Sequence, residues 1–286
     1  MVDAARACGS SPRYVLNPSM PVLLRPDGAV QVGWDPRRAV LVHPPAGLSA
    51  AALAALLRSM QSGLTTDELQ SCGDADVVDL VGSLLDVGLV TVVTQRRTRS
   101  AAIRVHGRGP LSDLLISGLR CSGARVQHSS MPHADVTAHR PDLVVFADYL
   151  IADPRLVRDL HSAGVAHLPV RVRDGTGLVG PLVIPGVTSC LSCADLHRSE
   201  RDAAWPAVAA QLRDTVGTAD RATVLATAAL ALNQVDRIIR AVSDSDDPPG
   251  ADPPPTLDTT LEFDIHHSSI VARRWSRHPR CFQCAG

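Results

Sequence analysis

The chain has 286 residues, 45% of them hydrophobic, which is enough for one large domain or two smaller ones with real cores. Its formal charge of −1 gives no electrostatic case for nucleic acid or an anionic membrane surface. There is no lysine, since all 28 Lys/Arg positions are arginine, so no Schiff base, phosphate-loop lysine or catalytic lysine is available.

The N-terminus lacks the apolar run of a signal peptide, and the longest apolar stretch, Ala222–Leu232, is too short to span a bilayer. A cytoplasmic protein with reduced thiols and no membrane contact is expected. Residues 1–13 read as a flexible tail. Three strand-like runs follow, Val22–Arg25, Ala29–Trp34 and Ala39–His43, punctuated by Pro and Gly turn signals. Ser49 is placed to cap a helix running to about Met60, and Thr65 with Glu68 reads as a capping box for a second. Asp76–Val87 reads as a third helix, with Val77, Leu80, Val81, Leu84 and Leu85 on one face and Gly88 as its stop. Leu89–Thr94 closes the set as a strand. This order predicts a winged-helix-like module over residues 14–94. Such a wing binds DNA or a peptide, and the scarcity of basic residues beside Asp-rich helices favours the peptide.

After the arginine-rich linker Gln95–Ser100 the pattern changes. A strand at Ala102–His106 leads to a helix from Leu111 to about Cys121, and a second strand starts at Ala124. Leu143–Ala147 is short and fully apolar, as a buried parallel strand should be. A helix at Pro154–Ala163 and a strand at His167–Val172 continue the βαβ rhythm, which predicts an α/β fold over 101–286 with a doubly wound, mostly parallel sheet. The Gly/Pro-rich segment 171–186 reads as a shaped hairpin or loop. Helices are expected from Cys193 to Arg201, from Trp205 to Arg213 and from Asp220 to Val242. The last carries Leu225, Ala229, Leu232, Val235, Ile238 and Ile239 at helical spacing. Residues 244–258, rich in Asp and Pro, read as a disordered loop. Leu261–Ile265 and Ile270–Trp275 alternate as a hairpin around His266 and His267, where solvent exposure is the default.

Two motifs carry chemistry. Cys190-Leu-Ser-Cys193 and Cys281-Phe-Gln-Cys284 together suit one tetrahedral zinc ion bound by four thiolates. A redox dithiol or disulfides are the alternatives, and disulfides fit a secreted chain better. Four thiolates leave no open position for water, so such a zinc is structural. Cys8, Cys72 and Cys121 read as small buried apolar residues. His278 reads as a neighbour of the metal. Asp195, His197, Arg198, Arg201 and Asp202 read as salt-bridged groups or as a polar cluster beside it.

The second motif, Gly107-Arg108-Gly109-Pro110-Leu111-Ser112, follows a strand and opens a helix, where a nucleotide phosphate loop belongs. It is degraded. Ser112 replaces the third glycine, Pro110 removes one N–H, and Gln127-His128-Ser129-Ser130 offers no carboxylate for a ribose. Gly107, Gly109 and Ser112 are either a weak cofactor site or a fold relic kept for tight strand–helix packing. No Ser/His/Asp order, His-Glu-x-x-His or paired-carboxylate motif stands out.

The glycine loop, the βαβ order and the two cysteine pairs resemble the ThiF/MoeB family, whose fold is that of ubiquitin-activating enzymes. The run Val179-Gly-Pro-Leu-Val-Ile-Pro-Gly-Val-Thr-Ser-Cys-Leu-Ser-Cys-Ala-Asp-Leu-His-Arg198 is similar to actinobacterial members of the family, the leader-peptide-binding proteins or cyclodehydratase partners of thiazole/oxazole peptide biosynthesis. The resemblance implies a PqqD-like peptide clamp over 14–94, a zinc on the four cysteines, and homodimerisation through the helix 220–242. Adenylating members use the glycine loop, an acidic ribose ligand, and Arg and Lys on the phosphates; here the last two features are incomplete. The implied function is therefore a non-adenylating scaffold that binds a peptide and presents it to a YcaO-like partner enzyme. The alternative is an active ATP-dependent adenylyltransferase acting on a peptide or small-protein C-terminus.

Overall fold

The structure, a computed structural model, describes residues 12–71, 75–93, 100–131, 134–243 and 253–284. The chain divides into two compact units, Met1–Thr98 and Arg99–Gly286.

The first unit contains β1 (Arg13–Leu16), β2 (Val22–Leu24), β3 (Val30–Val32), β4 (Val40–Val42), α1 (Ala50–Met60), β5 (Leu64–Thr65), α2 (Thr66–Ser71), α3 (Ala75–Asp86) and β6 (Val90–Val93). Local signals set its ends. Ser49 accepts the Ala52 N–H at 3.2 Å and caps α1. Thr65 and Glu68 exchange hydrogen bonds, Thr65 N to Glu68 Oε2 at 2.8 Å and Glu68 N to Thr65 Oγ1 at 3.3 Å. Leu53, Leu57 and Met60 of α1 and Val77, Val81 and Leu84 of α3 pack on Leu16, Val30 and Val32. Two antiparallel sheets result, β2–β3–β4 and β5–β1–β6. Residue 13 leaves the expected tail, because Arg13 pairs with both Thr65 and Val93. Residues 1–11, with Cys8, lie outside the described residues, as do Cys72 and most of the linker.

The second unit contains β7 (Ala102–His106), α4 (Pro110–Leu119), β8 (Arg125–Ser129), β9 (Leu143–Ala147), α5 (Pro154–Ser162), β10 (Ala166–Arg173), β11 (Thr176–Val179), α6 (Leu191–Arg201), α7 (Trp205–Leu212), α8 (Arg221–Ser243), β12 (Thr259–Asp264) and β13 (Ser269–Arg274). One seven-stranded sheet runs β13–β12–β11–β10–β9–β7–β8. The β10–β9, β9–β7 and β7–β8 pairs are parallel; the β10–β11, β11–β12 and β12–β13 pairs are antiparallel. The expectation of a mostly parallel sheet is thereby corrected to a mixed one. Connection length is the cause. Asp174 (φ 51°) and Gly175 (φ 78°) join β10 to β11 in a two-residue turn of the left-handed kind, and a turn that short can only reverse the strand.

Alternation along β10 separates two faces. Leu168, Val170 and Val172 join the core under α4 and α8, while Arg171 and Arg173 point the other way. The core side of α8 is Val224, Ala228, Ala231, Val235 and Ile238. Leu225 and Ala229, two of the residues at helical spacing, are exposed. The helix is turned to lay small residues on β11, where a Cβ on Gly177 would collide with the Thr227 side chain. Two further expectations change. Cys121 is exposed. In the loop 244–258, residues 244–252 lie outside the described residues. Thr256, however, is fully buried, and its carbonyl accepts the Leu182 N–H at 2.7 Å. The end of that segment is therefore part of the fold. Among the described residues no helix is long and apolar enough to cross a membrane.

Candidate metal centre and glycine loop

Four cysteine sulfurs converge from two distant segments. Cys190 is the N-cap of α6 and Cys193 lies in its first turn. Cys281 and Cys284 follow β13, in a turn held by the Cys284 N–H on the Cys281 carbonyl at 3.3 Å. The Sγ–Sγ separations are 3.7 Å for Cys190–Cys193, 3.5 Å for Cys190–Cys281 and 3.6 Å for Cys193–Cys284. Sulfurs about 2.3 Å from one tetrahedral ion stand about 3.8 Å apart, so the cage fits zinc closely. Cys190, Cys193 and Cys281 are buried and Cys284 is half-buried.

Burial pushes the Cys190 thiol up and raises Cys284 to about 11. Burial acts the same way on Cys193, but backbone hydrogen bonds at His278 and Cys190 outweigh it and hold that thiol low. A metal ion binding this set would displace the thiol protons that remain.

Tertiary contacts fix both arms of the cage. Gln283 Oε1 accepts from Ser192 Oγ at 2.8 Å, and the Gln283 carbonyl lies 2.6 Å from His161 Nε2. Asp258 Oδ1 accepts the Ser189 N–H at 2.6 Å. His278 is buried, as a neighbour of the cage should be. His278 and Arg280 both approach Glu200 Oε1, at 2.9 and 2.8 Å, and hold that carboxyl below its usual range. The His278 contact is a close approach rather than an aligned hydrogen bond. His197 Nε2 lies 3.1 Å from the Ser276 carbonyl. With Glu200 and His197 so engaged, this second cluster braces the cysteine turn. His266 and His267 are exposed, as expected.

The glycine loop sits at the carboxyl end of β7, which pairs with β8 on one side and β9 on the other. That switch in strand order is where an open α/β sheet binds its ligand. Here the site is occupied by the protein itself. Asp148, just past β9 and buried, accepts the Leu111 N–H at 2.9 Å and the Ser112 N–H at 3.2 Å. Its carboxylate therefore stands over the N-terminus of α4, where a phosphate would. Two further donors of the loop are engaged. Gly109 N donates to Ser112 Oγ at 3.1 Å, Gly107 N donates to the Ser129 carbonyl at 3.0 Å, and Pro110 has no N–H.

The glycines follow from the same packing. A Cβ on Gly107 would lie 2.5 Å from the Ala147 carbonyl oxygen, and one on Gly109 would lie 2.7 Å from Asp148 Oδ1. Both glycines thus lie where strand and helix approach too closely for a side chain. His128 completes the closure, with Nε2 2.9 Å from the Gly107 carbonyl. Sequence reasoning missed Asp148. The available signal was an Asp at the end of an apolar strand, able to adopt the left-handed conformation it has here (φ 72°).

A third group gathers on the other face of β10. Arg198 bonds Asp195 Oδ1 at 3.0 Å, and its guanidinium lies 5.0 Å from the ring centres of both Trp205 and Trp275. Trp205 Nε1 donates to the same carboxylate oxygen at 3.2 Å. Arg173 and Arg273 share Glu262, at 3.7 and 2.8 Å.

No protein-family model matches the chain, and no curated protein matches it. Solved structures do. The heterocyclase TruD is similar over 96% of this chain and 43% of its own, with a TM-score of 0.67 and 16% identity. A heterocyclase in complex with substrate and cofactor is similar over 96% of this chain and 40% of its own, with a TM-score of 0.66 and 14% identity. MccB of E. coli, solved with ATP, is similar over 95% of this chain and 99% of its own, with a TM-score of 0.56 and 13% identity. MccB has also been solved with the AMPCPP and MccA pair. At these identities the shared property is the fold, and this chain spans less than half of the heterocyclase chains.

Proposed function

We propose that this protein is a non-adenylating, ThiF-like scaffold that binds a peptide and presents it to a partner enzyme of the YcaO type. The observation that carries this reading is Asp148. With its carboxylate on the Leu111 and Ser112 N–H groups, the first turn of α4 has both of those donors already taken where a phosphate would use them. The missing lysine and the missing ribose carboxylate agree with it, because a developing phosphate charge needs cationic partners. The likeness to heterocyclases and to a protein solved with MccA supports a peptide as the ligand.

Peptide binding is assigned to the first unit, read as a PqqD-like wing. The β2–β3–β4 sheet has open edges, and Leu23, Leu24 and Leu41 are exposed on its edge strands. An extended peptide adds to such an edge through its backbone and places alternate side chains on the apolar ones. Zinc on Cys190, Cys193, Cys281 and Cys284 supplies a closed structural link between α6 and the segment after β13.

The alternative, an active adenylyltransferase, has one observation in its favour: the likeness to MccB, solved with ATP, extends over 99% of the MccB chain. Calorimetric titration with ATP and Mg²⁺, together with pyrophosphate exchange, separates the two. The scaffold reading expects no exchange and no saturable ATP binding up to millimolar nucleotide; micromolar binding or exchange would overturn it. Peptides made from short reading frames beside the gene test the wing, and Leu41→Lys should weaken whichever of them binds.

A further inference from the structure

We propose that a cationic cavity between α5, β10 and α6 binds a carboxylate carried on a short aliphatic stem. The cavity is lined by Arg171, Arg198, Asp195 and Ser192, with apolar walls that include Val157 and Leu191. It encloses about 50 Å³, room for about three or four waters or one carboxylate with a small stem.

Arg171 carries the inference. It is half-buried and lines this cavity. Among the described residues its guanidinium has no hydrogen bond and no ion pair. Burial, then repulsion from Arg198 and Arg173, lowers its pKa to about 10, so it remains charged at neutral pH. A half-buried guanidinium without a partner is available to pair with an anion that enters the cavity. Asp195, the carboxylate lining the cavity, is already engaged through one oxygen. Its Oδ1 takes the Arg198 and Trp205 donors. Arg173 and Arg273 share Glu262, so no spare negative charge comes from that side either. Two arginines, Arg171 and Arg198, thus line the cavity with one carboxylate, Asp195.

The arrangement also selects the anion. Arg198 is held between two indole rings, so its planar fork is preorganised, as bidentate recognition of a carboxylate requires. Asp195 on the wall repels a phosphate dianion more than a carboxylate monoanion. The apolar walls suit a branched aliphatic stem. The shared chemistry is a peptide carboxylate, from a C-terminal residue or an acidic side chain. The site lies in the second unit and does not depend on the wing or on the state of the glycine loop.

The test titrates the full, zinc-loaded chain with N-acetyl-leucine, N-acetyl-leucinamide, N-acetyl-glutamic acid α-amide and inorganic phosphate, followed by NMR. One saturable site for an acid is expected at about millimolar concentration, as befits a dozen heavy atoms, with none for leucinamide. Preference for N-acetyl-leucine assigns a C-terminus, and preference for the glutamic α-amide assigns an acidic side chain. Arg171→Gln should weaken the acid at least tenfold without lowering the unfolding temperature, because it removes an unpaired charge. Arg171→Lys, which keeps the charge and loses the fork, should weaken it less and covers the case in which the Gln variant does not fold. Equal binding of acid and amide, tighter binding of phosphate, or unchanged affinity in the variants would overturn the proposal. So would a loss of stability in Arg171→Gln with acid binding intact, which would make the residue structural.

Discussion

Removing the Asp148 carboxylate should both destabilise the second unit and turn the glycine loop into an anion site. In Asp148→Ala the N–H groups of Leu111 and Ser112 lose their acceptors, at 2.9 and 3.2 Å, at a buried helix start. An orphaned buried donor costs about 1–3 kcal/mol and a lost N-cap about 1 kcal/mol; since the two overlap, a loss of about 2–4 kcal/mol is expected. For a unit of this size that corresponds to a fall in Tm of roughly 5–15 °C. Asp148→Gly accepts the φ of 72° without strain and therefore isolates the cap from the backbone. Asp148→Asn keeps one acceptor oxygen and should lose about half as much. The freed N–H groups then face the dipole's positive end with nothing on them. Phosphate at about 100 times its Kd should restore about 2.7 kcal/mol to the Ala and Gly variants and nothing to the parent. The assay is urea unfolding followed by circular dichroism, in phosphate against chloride at matched ionic strength. Full stability of Asp148→Ala, or equal stabilisation of parent and variant by phosphate, would refute the assignment of this carboxylate to the anion position.

Elemental analysis should find one zinc per chain, absent from a Cys281→Ser, Cys284→Ser double variant that also unfolds at lower temperature, because a closed site contributes folding free energy; a metal-free chain of equal stability would contradict the staple. His167 is fully buried, its Nδ1 donates to the Val165 carbonyl at 3.1 Å, and burial lowers its pKa from 6.5 to about 4. The folded protein therefore holds it neutral, and stability present above pH 6.5 is lost as pH falls through 4, by about 3 kcal/mol in all. In His167→Phe that part of the slope should vanish from urea midpoints measured across this window; identical slopes in the two proteins would count against it. Gly177→Ala places a methyl 3.1 Å from Thr227 Cβ and should cost about 1–3 kcal/mol by pushing α8 off β11. Thr227→Ala in the same chain should recover most of that loss in thermal melts, and no recovery would rule out the contact as its cause.

Much of the architecture follows from local chemistry. Ser49, the Thr65–Glu68 pair and the Pro-Asp-Gly turn fix their element ends through bonds within a few residues, which sequence displays directly. The cysteine pairs were legible for a similar reason, since each C-x-x-C sets its own two sulfurs. The face of α8 was not legible. Leu225 and Val224 both fit a helical stripe, and the packing of α8 on its neighbours, including the close approach of Thr227 to Gly177 on β11, decides which of them turns inward.

The sequence by itself determined most of the helices, the main strands of the second unit, the four sulfurs and the absence of a lysine, because these are properties of short spans or of composition, while β1 and β5 were not read from it. It also left the glycine loop open to two meanings. What bears on that choice came only from tertiary structure, which carries Asp148 from the end of β9 onto the first turn of α4, 37 positions away in the chain. It likewise decided that Arg171 is left facing a cavity while Asp195 is spent on Arg198. Whether a charge is paired depends on what the fold brings within about 4 Å of it, and that distance has no counterpart in sequence spacing.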